Sequence, residues 1–99
     1  MFSALPYVDM TLGYTVKEGE VAHIECRASG KPRPTVEWYK DGNFLKVQRS
    51  DKMVVTAQAI TIMSVQLADH GKYKCKATNK NGETPGYMTL DVLPGNSWK

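Results

Sequence analysis

The chain has 99 residues, enough for one hydrophobic core and too few for two domains of ordinary size. Hydrophobic residues make up 41%, which excludes a disordered segment, and no apolar run approaches the ~20 residues that span a bilayer, so this domain is not expected to insert into a membrane. The net charge of +3 comes from lysines scattered along the chain, without the basic block that a nucleic-acid partner requires.

Met1-Phe2-Ser3-Ala4-Leu5-Pro6 lacks the basic start and long apolar stretch of a signal peptide. Residues 1–6 read as an N-terminal extension, vector-derived in part on one reading. From there the apolar residues recur with period two in short runs divided by turn residues, the pattern of an all-β domain. Val16, ahead of Glu18-Gly19-Glu20, marks an opening edge strand. Ala22, Ile24, Cys26 and Ala28 alternate with His23, Glu25 and Arg27, which defines an inward and an outward side. Gly30-Lys31-Pro32-Arg33-Pro34 ends that strand, because proline supplies no ladder donor.

Val36 and Trp38 then face one way, and Thr35, Glu37 and Tyr39 the other. Lys40-Asp41-Gly42-Asn43 is a turn signal, and residues 44–47 can form a short edge strand. Two more strands are expected over residues 53–56 and 59–62, with Ile60 and Ile62 inward. Asp69-His70-Gly71 marks a corner. Beyond it Tyr73, Cys75 and Ala77 alternate with Lys72, Lys74 and Lys76. Asn79-Lys80-Asn81-Gly82 supplies a hairpin turn, its Asn-Gly suited to positive φ. The last strand is expected over residues 87–92, with Met88, Leu90 and Val92 inward, and residues 94–99 as a linker or tail whose Trp98 could cover one end. The even spacing of strands favours a sandwich over a barrel.

Cys26 and Cys75 lie 49 residues apart. One disulfide closing that loop is worth about 4 kcal/mol in the chain-entropy model and needs an oxidising compartment. In a cytoplasmic protein the pair can instead persist as two buried thiols.

Cys26, Trp38, Asp69, Gly71, Tyr73 and Cys75, in that order, resemble the immunoglobulin superfamily across residues 7–93. The resemblance implies a two-sheet antiparallel Greek-key β-sandwich in which Cys26 and Cys75 bridge the sheets and Trp38 covers the sulfurs. It further implies that the Tyr73 hydroxyl returns to upstream backbone, and that Asp69 pairs with a cation. Here Lys52 occupies the position usually held by arginine, with Arg49 as competitor, and a lysine gives a looser pair. Val16-Lys17-Glu18-Gly19-Glu20, Ala28-Ser29-Gly30-Lys31-Pro32-Arg33-Pro34, Trp38-Tyr39-Lys40-Asp41-Gly42 and Ala77-Thr78-Asn79-Lys80-Asn81-Gly82 resemble the intermediate, or I-set, branch.

No nucleophile with a paired base and no phosphate loop points to an enzyme, and no cofactor is expected. His23 and His70 sit apart at no zinc-ligand spacing and read as surface residues. The candidate interface is the outer side of the sheet carrying Trp38 and Cys75: Thr35, Glu37, Tyr39, Lys72, Lys74, Lys76, Tyr87, Thr89 and Asp91. It offers aromatic area and a lysine row to another protein, including a second copy of itself. The competing expectation is that the lysines merely pair across strands with Glu37 and Asp91. Lys31, Arg33, Lys72, Lys74, Lys76 and Lys80 form a weaker candidate for heparin or anionic lipid.

Two roles follow from the resemblance. One is a recognition module of a cell-surface or secreted protein, beside neighbouring immunoglobulin or fibronectin-type domains. The other is a spacer in a giant cytoskeletal or sarcomeric protein. The missing Asn-x-Ser/Thr sequon favours the second; the lack of any cysteine beyond the pair and loops that resemble those of adhesion receptors favour the first. An extracellular or cell-surface module is therefore the expected role and the cytoplasmic spacer the alternative.

Overall fold

A computed structural model of the chain describes residues 5–10 and 13–95; Trp98, most of the N-terminal extension and most of the tail lie outside the described residues. Among the described residues eleven strands form two layers. They are β1 (Tyr7–Asp9), β2 (Gly13–Lys17), β3 (Ala22–Glu25), β4 (Arg27–Ser29), β5 (Thr35–Lys40), β6 (Asn43–Leu45), β7 (Gln48–Arg49), β8 (Met53–Val55), β9 (Ala59–Ile62), β10 (Gly71–Asn79) and β11 (Gly82–Leu93). The first layer runs β2-β11-β10-β5-β6. The second runs β3-β9-β8-β7, extended by the pair β1-β4.

β3 and β4 are one stretch of alternating sequence, interrupted where the Cys26 N–H turns to the carbonyl of Gln58 at 2.8 Å. The path crosses between layers repeatedly, in the Greek-key manner, and all pairings are antiparallel except β2 with β11. Along β5 and β10 the alternation works as expected: Trp38, Tyr73, Cys75 and Ala77 are buried between the layers, and the residues between them face outward. Ile24, Val55, Ile60, Ile62, Met88 and Leu90 complete the same core.

Three differences from the sequence expectations have physical causes. β11 starts five residues earlier than expected, because Pro85 and Gly86 still pair with Lys76 and Cys75 across the long β10 hairpin. The edge strand closes at Leu45 instead of reaching Val47, since the chain there leaves this layer for β7 in the other. An additional strand, β1, precedes the one around Val16: it pairs with β4 in the second layer, whereas β2 joins β11 in the first. The N-terminal segment thus spans both layers.

Candidate functional site

Alternation along β5 and β10 builds two surfaces from the same strands. On the inner side, Cys75 lies directly across from Trp38 in the β5–β10 ladder. Cys75 is bonded to Cys26 of the other layer, with 6.4 Å between their Cα atoms. The Trp38 indole N–H donates to the Thr56 carbonyl at 2.9 Å, so the ring is buried with its one polar atom satisfied. The Tyr73 hydroxyl donates to the Asp69 carbonyl at 2.7 Å. Burial, followed by the negative charges of Asp69 and Asp41, pushes the Tyr73 hydroxyl well above the ordinary tyrosine range. A side chain so disfavoured as a phenolate serves as a permanent donor at this corner.

Asp69 itself makes no ion pair among the described residues. The expected partner Lys52 only lines the same 230 Å³ hollow, together with Gln48, Ser50 and Gln66. The Asp69 carboxylate instead accepts the Gln66 N–H at 2.7 Å, closing a capping box on the 3-10 turn Leu67–Asp69. A backbone donor already satisfies the carboxylate, and an exposed lysine keeps its hydration more readily than it forms a fixed pair. Among the described residues Arg49 forms no ion pair either.

A different carboxylate does the reaching. Asp41, in the turn between β5 and β6, binds Lys40 at 2.9 Å and accepts the Lys72 N–H at 3.0 Å. These donors hold its carboxyl below the usual carboxylate range, the Lys72 backbone N–H foremost and then the Lys40 side chain. Gly71 makes room for it. A Cβ there would stand 2.7 Å from Asp41 Oδ2, and its φ of +154° is one that side-chain-bearing residues rarely adopt.

On the outer side, the expected residues do share one face. Thr35, Glu37, Lys72, Tyr87, Thr89 and Asp91 are exposed, and Tyr39, Lys74 and Lys76 are half-buried. Lys74 lies across from Tyr39 on one side and Tyr87 on the other. Its ammonium sits 4.7 Å from the centroid of the Tyr39 ring, with that of Lys76 at 5.5 Å, and Lys72 is 5.7 Å from the Tyr87 ring. Tyr39 also meets Phe44 edge-to-face at 5.7 Å, and its hydroxyl donates to Glu37 at 3.1 Å.

Only Lys76 follows the cross-strand expectation, reaching Glu37 at 3.6 Å and Glu83 at 3.8 Å. A hydrogen bond with Tyr39, with the charges of Glu83 and Glu37, keeps its ammonium above the ordinary lysine range despite partial desolvation. Asp91 pairs with His70 at 3.7 Å rather than with a lysine, because Thr89 stands opposite Lys72 and sets Asp91 beyond the lysine row. His23 is exposed and held by Thr61 at 2.9 Å and Glu25 at 3.6 Å.

The loops after β4 and β10 meet at one end. Asn79 Nδ2 donates to the Pro32 carbonyl at 3.1 Å and Asn81 Nδ2 to that of Lys31 at 3.2 Å. The basic residues of the heparin candidate are thereby divided. Lys31, Arg33 and Lys80 belong to the loop end, and Lys72, Lys74 and Lys76 to the sheet face, with Glu37 and Glu83 at Lys76.

Phe44 and Met10 were not among the expected site residues. Met10 Sδ lies 3.9 Å from Cys75 Sγ, and Val8 and Met10 both crowd Gly86, where a Cβ would come within 2.6 Å of Val8 Cγ1. A glycine inside a strand can mark a place of close approach, but Gly86 fell outside the strand expected over residues 87–92 and carried no such signal.

Two layers, antiparallel but for the β2–β11 pair, a disulfide between them, a buried tryptophan opposite one cysteine and a tyrosine corner define an immunoglobulin-type β-sandwich. Residues 9–92 match the family model of the immunoglobulin I-set domain, and the chain belongs to that family. It is similar to Hemicentin-1 of Mus musculus, 38% identical over 78 residues that cover 79% of this chain and 1% of that protein. It is also 38% identical, over 82 residues, to the muscle M-line assembly protein unc-89 of Caenorhabditis elegans, covering 78% of this chain and 1% of that protein. Among solved structures, titin domain M7 superposes with a TM-score of 0.79 at 26% identity, covering 94% of this chain and 98% of the other. The chain thus spans about a hundredth of the length of these curated relatives, as one immunoglobulin module of a multidomain protein does.

Proposed function

We propose that this domain is a non-catalytic recognition module of a cell-surface or secreted protein, and that it meets its partner through the outer face of the β2-β11-β10-β5-β6 sheet. The observation that carries the reading is the cluster on that face: Tyr39 with the ammonium groups of both Lys74 and Lys76 near its ring, and Phe44 edge-on beside it. Aromatic rings held by neighbours lose little conformational freedom on binding, and a lysine row selects partners of opposite charge. Relatives such as hemicentin support the extracellular assignment.

In the parent protein, Tyr39→Ala combined with Lys74→Glu is expected to abolish bead-to-cell adhesion while leaving the domain folded. Adhesion that survives both substitutions moves the partner surface elsewhere. The second reading, a spacer in a cytoskeletal protein, is favoured by the likeness to titin M7 and unc-89. The thiol content of the native protein separates the two: none free in the first, two per chain in the second.

A further inference from the structure

The first layer ends in an unfinished edge. β6 covers only Trp38, Tyr39 and Lys40 of β5, and among the described residues no strand pairs with its far side. Asp41 (φ 50°) and Gly42 (φ 87°) form the two-residue turn before it, the pair of positive φ angles that marks a type I′ hairpin. In such a hairpin Lys40 and Asn43 exchange both backbone hydrogen bonds, and alternation gives Trp38 and Leu45 the same arrangement. Phe44, between them, therefore directs its N–H and C=O away from β5 and out of the sheet. Phe44 is 58% exposed, and Val47 beyond it 69%. Edges of this kind are ordinarily blunted by proline, a bulge, a covering segment, lysine or sheer shortness; β6 has the last two, three residues followed by Lys46.

We infer that two copies of this chain join β6 to β6, antiparallel, about a two-fold axis passing between their Phe44 residues. In that register each Phe44 N–H meets the other's C=O. Both rings lie on the outer face, extending the Tyr39–Phe44 contact into a row of four aromatic side chains across the seam. Lys46 comes opposite the partner's Gly42, which has no side chain to oppose it, while the partner's Asp41 carboxylate stays with its own Lys40 and Lys72 N–H. A register centred on Lys46 is disfavoured twice: it opposes like charges, and the Lys46 carbonyl already accepts Gln48 Nε2 at 3.2 Å. The axis is isologous, one patch meeting itself, which closes the assembly at two. Pairing of so few residues buries less than the ~1,200 Å² of a stable interface, so the dimer is weak and concentration-dependent.

This inference does not rest on the recognition role of the open face. Sedimentation equilibrium of the 99-residue chain from about 10 µM to about 1 mM tests it, in the range where small interfaces associate. The expected result is a mass rising from monomer toward dimer. Phe44→Arg should weaken association by at least about tenfold, the loss of one well-placed contact pair. Phe44→Cys should form a disulfide-linked dimer on oxidation, since facing residues of a hydrogen-bonded pair have Cα atoms ~5.5 Å apart, whereas Thr89→Cys on the open face should not. Lys74→Glu should leave the dimer intact. A chain that stays monomeric at the highest concentration overturns the inference, as does a dimer indifferent to Phe44→Arg. A dimer broken by Lys74→Glu alone overturns it too, and leaves the open face as the recognition surface.

Discussion

The inner and outer faces of β5 and β10 are made by adjacent residues of the same strands, yet their energetics differ. Inside, Trp38, Tyr73 and Cys75 are fully buried and each polar atom has one fixed partner. Outside, Tyr39, Lys74 and Lys76 share partners among themselves, partly in water. Buried contacts, with no solvent to replace them, carry the stability. Exposed ones can be exchanged for contacts with another molecule at little loss to the fold.

Substitutions on the two faces should therefore separate by an order of magnitude. Trp38→Ala removes the largest buried side chain among the described residues and is expected to lower unfolding free energy by about 3–5 kcal/mol, read from urea denaturation. A value under 1 kcal/mol would mean the indole is not central to the core. Replacing both Cys26 and Cys75 by alanine should cost about 2–5 kcal/mol, measured the same way under oxidising conditions. Gly71→Ala lies between the faces: the added carbon meets the Asp41 carboxylate in a backbone conformation alanine resists, and about 1–2 kcal/mol is expected. If Gly71→Ala is neutral, the Asp41 contact is not held tightly.

Asp41 adds a pH signature. Its carboxyl is depressed in the folded chain, so its stabilising contribution is complete above the ordinary carboxylate range. It disappears as pH falls through the lower folded value, when the carboxylate takes up a proton. Asp41→Asn should flatten the thermal stability profile in that acidic window and nowhere else. A parallel offset at all pH values would assign the effect to packing instead. Smallest of all, Lys74→Ala is expected to shift stability by no more than about 0.5 kcal/mol. A larger loss would show that the Tyr39–Lys74 contact belongs to the structural core.

Legibility in the sequence followed the same division. The inner face could be read because period-two alternation is long and unbroken along β5 and β10, where Tyr73, Cys75 and Ala77 all fall inward. The outer face followed by elimination, since what is not inward must be outward. β1 could not be read this way: three residues give no periodicity, and the close approach of Val8 and Met10 to Gly86 shows only in the fold. Val65, buried between polar neighbours, likewise had no pattern around it.

Charge partners were harder still. The Asp69–Lys52 pair was inferred from the family position, but a free backbone N–H at Gln66 lies closer than any side chain the sequence could name. Asp41 read only as a turn residue because its partner, the Lys72 amide, is 31 positions away. Which loops meet at one end is set by the layer crossings, so the Asn79 and Asn81 bonds to the loop after β4 had no local signature.

The parallel pairing of β2 with β11 has a mechanical consequence. Because these strands run side by side near opposite ends of the chain, tension applied to the two termini slides them past one another. The five aligned residue pairs from Thr89–Gly13 to Leu93–Lys17 then resist together rather than opening one at a time like a zip. Rupture under load is governed by the unfolding barrier and not by equilibrium stability, so the resistance of this short patch to tension is a property separate from the stability of the disulfide-bridged core.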